Sequence, residues 1–170
     1  MTIRTYAELT ALFADNVTGD ISPQDLRDFL DSQRVYGSIV IQGGSTAQAF
    51  TADTPELMEE WTADGIAVGV TPAYATDKIT IDNTGIYLVN FYCSFAGNNP
   101  VVNSFELRVD DVATGMQFDR KTSSSDVGSG AFSGIISLTA AEVLTVWFTG
   151  SGASSNFTAQ EAALSVYRIS

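Results

Sequence analysis

The side chains that could carry chemistry in this sequence are twenty acids and a single cysteine. The sequence contains no histidine. A serine or cysteine nucleophile needs a histidine base, and zinc sites rely on histidine or several cysteines. The adjacent acids Glu59-Glu60 and Asp110-Asp111 do not suit glycoside hydrolysis, because neighbouring strand residues point to opposite faces. Cys93 lies in an apolar run, which is typical of a core residue. We therefore expect no enzyme activity and no cofactor.

Acidic side chains are the remaining candidates for a metal site, and calcium is the ion that oxygen ligands would suit. The acids in predicted loops are Asp77, Asp82, Asp110, Asp111 and Asp126. No run among them has the alternating aspartates of a calcium-binding loop. We expect them to be solvated acids that hold no metal, with calcium binding as the open alternative.

The charge balance limits the partners. Twenty acidic and eight basic residues give a net charge of −12, and Lys78 and Lys121 are the only lysines. Binding to phosphates needs clustered Lys and Arg, so we exclude nucleic acid and an anionic membrane surface as partners. No run approaches the roughly 18 apolar residues of a membrane span. Residues 1–8 lack the apolar stretch of a secretion signal, so we expect synthesis in a cytoplasm.

Residues 1–35 predict a helical arm of two short helices. Thr5 and Glu8 have the spacing of a capping box, and Ser22-Pro23 has the residues preferred at a helix start. The apolar faces of the two helices consist of Leu9, Leu12 and Phe13 in the first and Leu26, Phe29 and Leu30 in the second. Helices this short are unstable alone in water. These six residues are therefore the candidates for anchoring the arm to another surface.

From Tyr36 onward the apolar spacing becomes strand-like, with turn residues between short apolar runs. Strands are predicted at 37–42, 66–70, 79–82, 86–95, 104–110, 131–138, 143–149 and 162–169, and a single helical turn at 55–61. The aromatic residues expected in the core are Tyr87, Phe91, Phe95, Phe105, Phe132, Trp147 and Phe157. This pattern indicates a mainly β fold, an antiparallel jelly-roll sandwich over residues 36–170.

Two segments within the predicted strands, 86–92 and 143–148, are apolar on both faces. A sandwich buries one face of each sheet in its own core, so the second face needs another cover, and a subunit interface is the simplest one. The interface candidates are Ile86, Leu88, Tyr92, Leu144, Val146 and Phe148. Alternation alone does not say which face points inward. A two-sided strand would also serve a dimer or a pentamer.

Three segments resemble the trimeric jelly rolls of the TNF-like and complement-globular-head family. Residues 82–89, followed by Phe91 and Phe95, are similar to that family's Gly-x-Tyr strand. Residues 134–146 resemble its strand–turn–strand hairpin, with Ala140-Ala141-Glu142 where the family usually has Ala-Gly-Asp. Residues 163–169 resemble its last strand. The resemblance implies a homotrimer.

Residues 12–16 and 19–30 resemble an N-terminal segment of tailed-bacteriophage virion proteins, where it precedes varied C-terminal modules. This resemblance implies a structural protein on the virion surface, attached through its arm to capsid, tail or baseplate proteins. Two functions lead: a capsid decoration or head-fibre protein, and a tail-fibre or baseplate protein that binds the host. A secreted cytokine-like ligand is a third, and the missing signal peptide and the phage-like arm count against it. An exposed Trp or Tyr at the tip of the domain would favour host binding. The polar loop 119–130 is expected to be a plain connection, with external recognition as the alternative.

Overall fold

The computed structural model describes residues 8, 11, 23–32, 34–97, 102–123, 126–152 and 155–170. Over these residues the chain forms two antiparallel sheets packed face to face, preceded by a helix. This confirms the prediction of a mainly β antiparallel sandwich, and the arrangement is consistent with a jelly roll. The structure describes one helix where the sequence predicts two.

That helix, α1, spans Pro23–Ser32 and begins with proline at the first position, where the missing N–H costs no hydrogen bond. Asp28 lies at its centre: its carboxylate accepts a hydrogen bond from Gln24 Nε2 (2.7 Å), and its carbonyl oxygen accepts one from Ser32 Oγ (2.6 Å). The first predicted helix lies outside the described residues, apart from the helical residues Glu8 and Ala11. The division of the chain at residue 35 stays a prediction.

Twelve strands follow the helix in the described part of the chain. They are β1 (Tyr36–Gln42), β2 (Gln48–Phe50), β3 (Glu56–Leu57), β4 (Ala63–Asp64), β5 (Val70–Ala73), β6 (Lys78–Ile81), β7 (Gly85–Gly97), β8 (Val102–Val109), β9 (Val112–Lys121), β10 (Val127–Leu138), β11 (Val143–Gly150) and β12 (Ser155–Arg168). A 3₁₀ turn spans Tyr74–Thr76. Seven of the eight predicted strands correspond to β1, β6, β7, β8, β10, β11 and β12.

Three predictions about local structure are corrected. The helical turn predicted at 55–61 is wrong, because Glu56 and Leu57 pair with Phe148 and Trp147 of β11, and this pairing overrides local helix propensity. The strand predicted at 66–70 lies instead at Val70–Ala73. Much of the loop predicted at 119–130 belongs to strands, because β9 continues to Lys121 and β10 begins at Val127.

The strands are divided between two sheets that we call sheet A and sheet B. Sheet A has the order β10-β7-β12-β1-β4, with β2 also paired to β12. Sheet B has the order β5-β6-β11-β8-β9, with β3 also paired to β11. The longest strands, β7 and β12, are neighbours at the centre of sheet A. Sheet A therefore offers a broad surface on the side away from sheet B.

The core between the sheets is apolar and rich in phenylalanine. Phe105 of sheet B lies at its centre, with ring centroids 5.0 Å from Phe95 and 5.9 Å from Phe148. Of the seven aromatic residues predicted in the core, six are buried, and Trp147 is half-buried. Among the described residues the core cluster runs from Val35 to Val166 and includes no residue of α1.

Candidate subunit interface

The outward face of sheet A carries three rows of side chains that cross strands β10, β7, β12 and β1. On β7 these side chains alternate with buried Tyr87, Val89 and Phe91, so the rows point away from the core. The strand register aligns the rows as Ile135, Leu88, Tyr167 and Tyr36; Ser133, Asn90, Ser165 and Ser38; and Ala131, Tyr92, Ala163 and Val40. We call these twelve residues the sheet A face and the middle four the polar row.

Large apolar side chains on the sheet A face are open to solvent. The exposed fractions are 63% for Ile135, 52% for Tyr92 and 46% for Tyr167. Ile86 is also 41% exposed and lies one row beyond Leu88 on β7. Single exposed apolar residues are ordinary, but a contiguous patch marks a surface that another molecule covers.

The polar row crosses the middle of this patch. Ser133 Oγ donates a hydrogen bond to Asn90 Oδ1 over 2.7 Å, linking β10 to β7. The Asn90 Nδ2 group makes no hydrogen bond with another described residue, so its two donors remain available to solvent or to a partner. The row therefore combines hydroxyl oxygens with spare amide donors.

The sheet A face contains no charged residue, although the whole chain carries a net charge of −12. The first acid appears in the next row, where Glu161 of β12 is exposed and accepts a hydrogen bond from the Gly43 amide over 3.1 Å. Copies of an acidic chain repel each other. A neutral face is the part of this surface that two copies can bring together at the lowest electrostatic cost.

Of the predicted interface residues, three lie on this side of sheet A and three do not. Ile86, Leu88 and Tyr92 point outward. The placement of Leu144, Val146 and Phe148 at an interface is wrong, because they are at most 1% exposed and fill the core between the two sheets.

The other face of β11 is covered by the chain itself, which explains its two-sided apolar pattern. Trp147 Nε1 donates to Thr145 Oγ1 over 3.1 Å, and the Arg108 guanidinium lies 4.3 Å from the centroid of the Trp147 ring. A second subunit is therefore not needed to shield this strand. The sequence shows that both faces are apolar, but it does not show that Arg108 lies over one of them.

Sequence reasoning missed most of the sheet A face. Tyr36, Asn90, Ile135 and Tyr167 come from four strands and are brought together only by strand register. The alternation of Ala163, Ser165 and Tyr167 along β12 is the signal that could have identified one column of the face.

The arm presents a second exposed apolar surface. Leu26 and Leu30, four residues apart on α1, are 53% and 52% exposed, and Phe29 is half-buried. The spacing places the two leucines on the same side of the helix. Leu9, Leu12 and Phe13 lie outside the described residues.

Cys93 and the acidic pair Asp110-Asp111, both considered for catalysis, lie in the core and in a tight turn. Cys93 is 1% exposed in the core, and burial raises its pKa to about 12. Asp110 and Asp111 form the tight turn between β8 and β9, with positive φ angles of 48° and 64°. Within the described part of the chain, three acidic or cysteine side chains do not come together as metal ligands would. The helices described here include none long and apolar enough to cross a membrane.

One open surface groove lies beside Trp147 on sheet B, with a volume of about 560 Å³. Its rim includes Glu59 and Glu60. Burial, and then the carboxylates of these two residues, raise the pKa of nearby Asp77 to about 6. The groove is therefore an acidic surface, with the indole ring occupied by Arg108.

The fold is that of the TNF-like and complement-1q-like jelly-roll domains. The chain is similar to Eiger TNF from S. frugiperda, with a TM-score of 0.57 and 15% identity over 81% of this chain and 94% of that one. It is similar to the globular domain of zebrafish complement 1qA, with a TM-score of 0.54 and 16% identity over 81% and 98% of the two chains.

A third similar structure is the vertex protein P5 of phage PRD1. The TM-score is 0.54 and the identity 14%, over 81% of this chain and 98% of that one. No protein-family model matches the sequence, and no curated protein matches it. At identities this low, the structural similarity establishes a shared fold alone.

Proposed function

We propose that this chain is a structural protein of a bacteriophage virion: a homotrimeric capsid decoration or head-fibre protein whose arm attaches the β domain to the particle. The observation that carries the proposal is the uncharged, apolar sheet A face. Its function is binding, with no catalytic step. The protein is synthesised in the host cytoplasm and resides on the virion surface.

The size of the sheet A face supports self-association. Three rows of four residues, with strands and alternate residues spaced as in ordinary sheets, cover roughly 15 Å in each direction. A standard interface uses about 20–30 residues a side. The twelve residues would therefore form the centre of an interface, with the rim supplied by neighbouring loops.

The exposed leucines of α1 support attachment through the arm. A short amphipathic helix binds by placing its apolar face in a groove of its partner. Three arms on one trimer would bind the particle together, so that three weak contacts produce a stable attachment. The partner for the arm is another virion protein.

The phage assignment is supported by two features. The arm sequence resembles the N-terminal segment of tailed-phage virion proteins, and the β domain shares its fold with the PRD1 vertex protein. The TNF-like and complement-1q-like neighbours support the fold and, through the resemblance to those trimers, the homotrimer.

Host adhesion by a trimeric tail-fibre or baseplate protein is the second candidate, and the groove beside Trp147 is the feature that favours it. Aromatic rings with polar rims are common in ligand sites. However, Arg108 covers the ring and Thr145 accepts its N–H. The groove thus supports adhesion less well than the sheet A face supports assembly.

The first experiment measures the mass of the full-length protein by light scattering. We expect three times the 18.1 kDa chain mass. Tyr92→Glu places one charge per subunit on the sheet A face and should produce monomers. The matched control is Val112→Glu, since Val112 is 67% exposed but lies on β9 of sheet B. A monomeric wild type would refute the trimer.

The second experiment tests attachment on phage particles produced from the genome that encodes the chain, with the gene deleted. Purified full-length protein should bind these particles, and protein lacking residues 1–34 should remain trimeric without binding. The deletion keeps every described core residue. Immunogold labelling then separates the two candidates: gold on the head supports decoration, and gold on the tail tip supports adhesion. If the full-length protein labels no particles, both candidate functions are refuted.

A further inference from the structure

The polar row of the sheet A face loses its contact with water if other copies cover the face. Asn90 lies between Leu88 and Tyr92 on β7, and both neighbouring rows consist of aliphatic and tyrosine side chains. Covering the face removes water from the Asn90 amide. A buried amide without a hydrogen-bond partner destabilises the state that buries it.

Within the described part of one chain, only the carbonyl oxygen of the Asn90 side chain forms a hydrogen bond. Asn90 Oδ1 accepts from Ser133 Oγ, while Nδ2 has no acceptor among the described residues. The missing acceptor must then come from whatever covers the face. In a threefold assembly, residues near the axis meet their own equivalents, so other copies can offer the hydroxyl and amide oxygens of the polar row as acceptors. A charged partner would leave its own charge unpaired against the uncharged rows.

We propose that Asn90 and the polar row fix the number of subunits and their alignment in the assembly. This inference rests on the proposed homotrimer. Apolar rows allow subunits to slide or to associate in other numbers, because apolar burial has no direction. A slide by one row would place the Asn90 amide against mostly aliphatic and aromatic groups, where tyrosine hydroxyls are the only polar side-chain atoms. A single buried Asn specifies register and oligomer state in coiled coils by this physical route.

The experiment replaces Asn90 with leucine, which has a similar size and no hydrogen-bond groups. Native mass spectrometry of the wild type should show one species at three times 18.1 kDa. Asn90→Leu should remain associated but show two or more masses, or one mass other than the trimer. The matched control, Asn156→Leu, changes an exposed Asn at the far end of β12 and should leave the trimer unchanged.

A second measurement needs no substitution. In ¹⁵N-labelled wild-type protein, the side-chain amide protons of Asn90 should exchange at least about tenfold more slowly than those of Asn156, because a bonded, covered amide is protected from solvent. Equal exchange would overturn the proposal, as would an Asn90→Leu protein that stays a single trimer.

Two outcomes distinguish the homotrimer from the role of the polar row. A wild type that is monomeric refutes the homotrimer and this inference with it. A trimeric wild type whose Asn90 amide exchanges freely refutes the role of the polar row and leaves the homotrimer in place.

Discussion

The ring of Phe118 on β9 lies directly over Gly130 on β10, where a Cβ atom would come within 2.3 Å of the ring. β9 is at one edge of sheet B and β10 at one edge of sheet A. Met116 lies over Gly134 in the same way, at 2.7 Å from a Cβ there. The two glycines therefore allow the sheet edges to meet and close one side of the sandwich.

Gly130→Ala should lower the free energy of unfolding by about 1–3 kcal/mol, as overpacking does in well-filled cores. The ring cannot retreat easily, because Phe105 stacks on it at 5.0 Å. Urea denaturation at a fixed protein concentration measures the effect. In a protein that also carries Phe118→Leu, Gly130→Ala should lower the free energy of unfolding by a smaller amount. An equal cost in both backgrounds would show that the ring is not the obstacle.

Ala141 has a φ of 76° in the turn between β10 and β11, a conformation that costs a residue with a side chain about 1–2 kcal/mol. Ala141→Gly should therefore raise stability by about 1 kcal/mol after the added freedom of the unfolded chain is subtracted. The neighbouring exposed Ala140 does not have a positive φ, so Ala140→Gly should be neutral or destabilising. Thermal unfolding of both variants tests this; stabilisation by both would contradict it.

Asp77 makes stability depend on pH. Burial and two nearby carboxylates raise its folded pKa from the ordinary 3.8 to about 6, so the folded chain holds the proton more tightly than the unfolded chain. Stability therefore falls as pH rises from about 4 to above 6. Asp77→Asn should leave Tm nearly unchanged near pH 3.5 and raise it at pH 7.5. Asn also suits the left-handed backbone at φ 58°.

The control for this pH dependence is Glu59→Gln, which removes one of the two carboxylates that raise the pKa of Asp77. It should produce a smaller rise in Tm over the same pH range. If Asp77→Asn raised Tm equally at pH 3.5 and pH 7.5, the gain would come from packing and the titration argument would be wrong.

Thiol labelling can report whether the sheet A face is covered. Native Cys93 should not react with a thiol reagent at pH 8, because it is buried and burial raises its pKa to about 12. A cysteine introduced by Ala131→Cys lies on the face and should react slowly, with a rate that rises on dilution. Gln117→Cys, exposed on β9, should react quickly at every concentration. Equal, fast labelling of both would mean that the face is free.

Local sequence patterns predicted the strands that alternate strongly or are apolar throughout, such as β7, β8 and β11. They missed β9, because this edge strand is mostly exposed and carries Asp119, Arg120 and Lys121 near its end. They assigned a helical turn to 55–61, because a Pro followed by good helix formers satisfies helix-start rules, whereas the pairing with β11 is a long-range contact.

The sequence alone determined the composition of this protein and the two apolar faces of β7. The absence of histidine and the charge of −12 are properties of composition and need no fold. Only the tertiary structure decided that Tyr92 points outward while Leu144 is buried, and that Asn90, Ser133, Ser165 and Ser38 share one row. Strand order and register join residues far apart in the chain, and alternation along one strand contains no information about its neighbours.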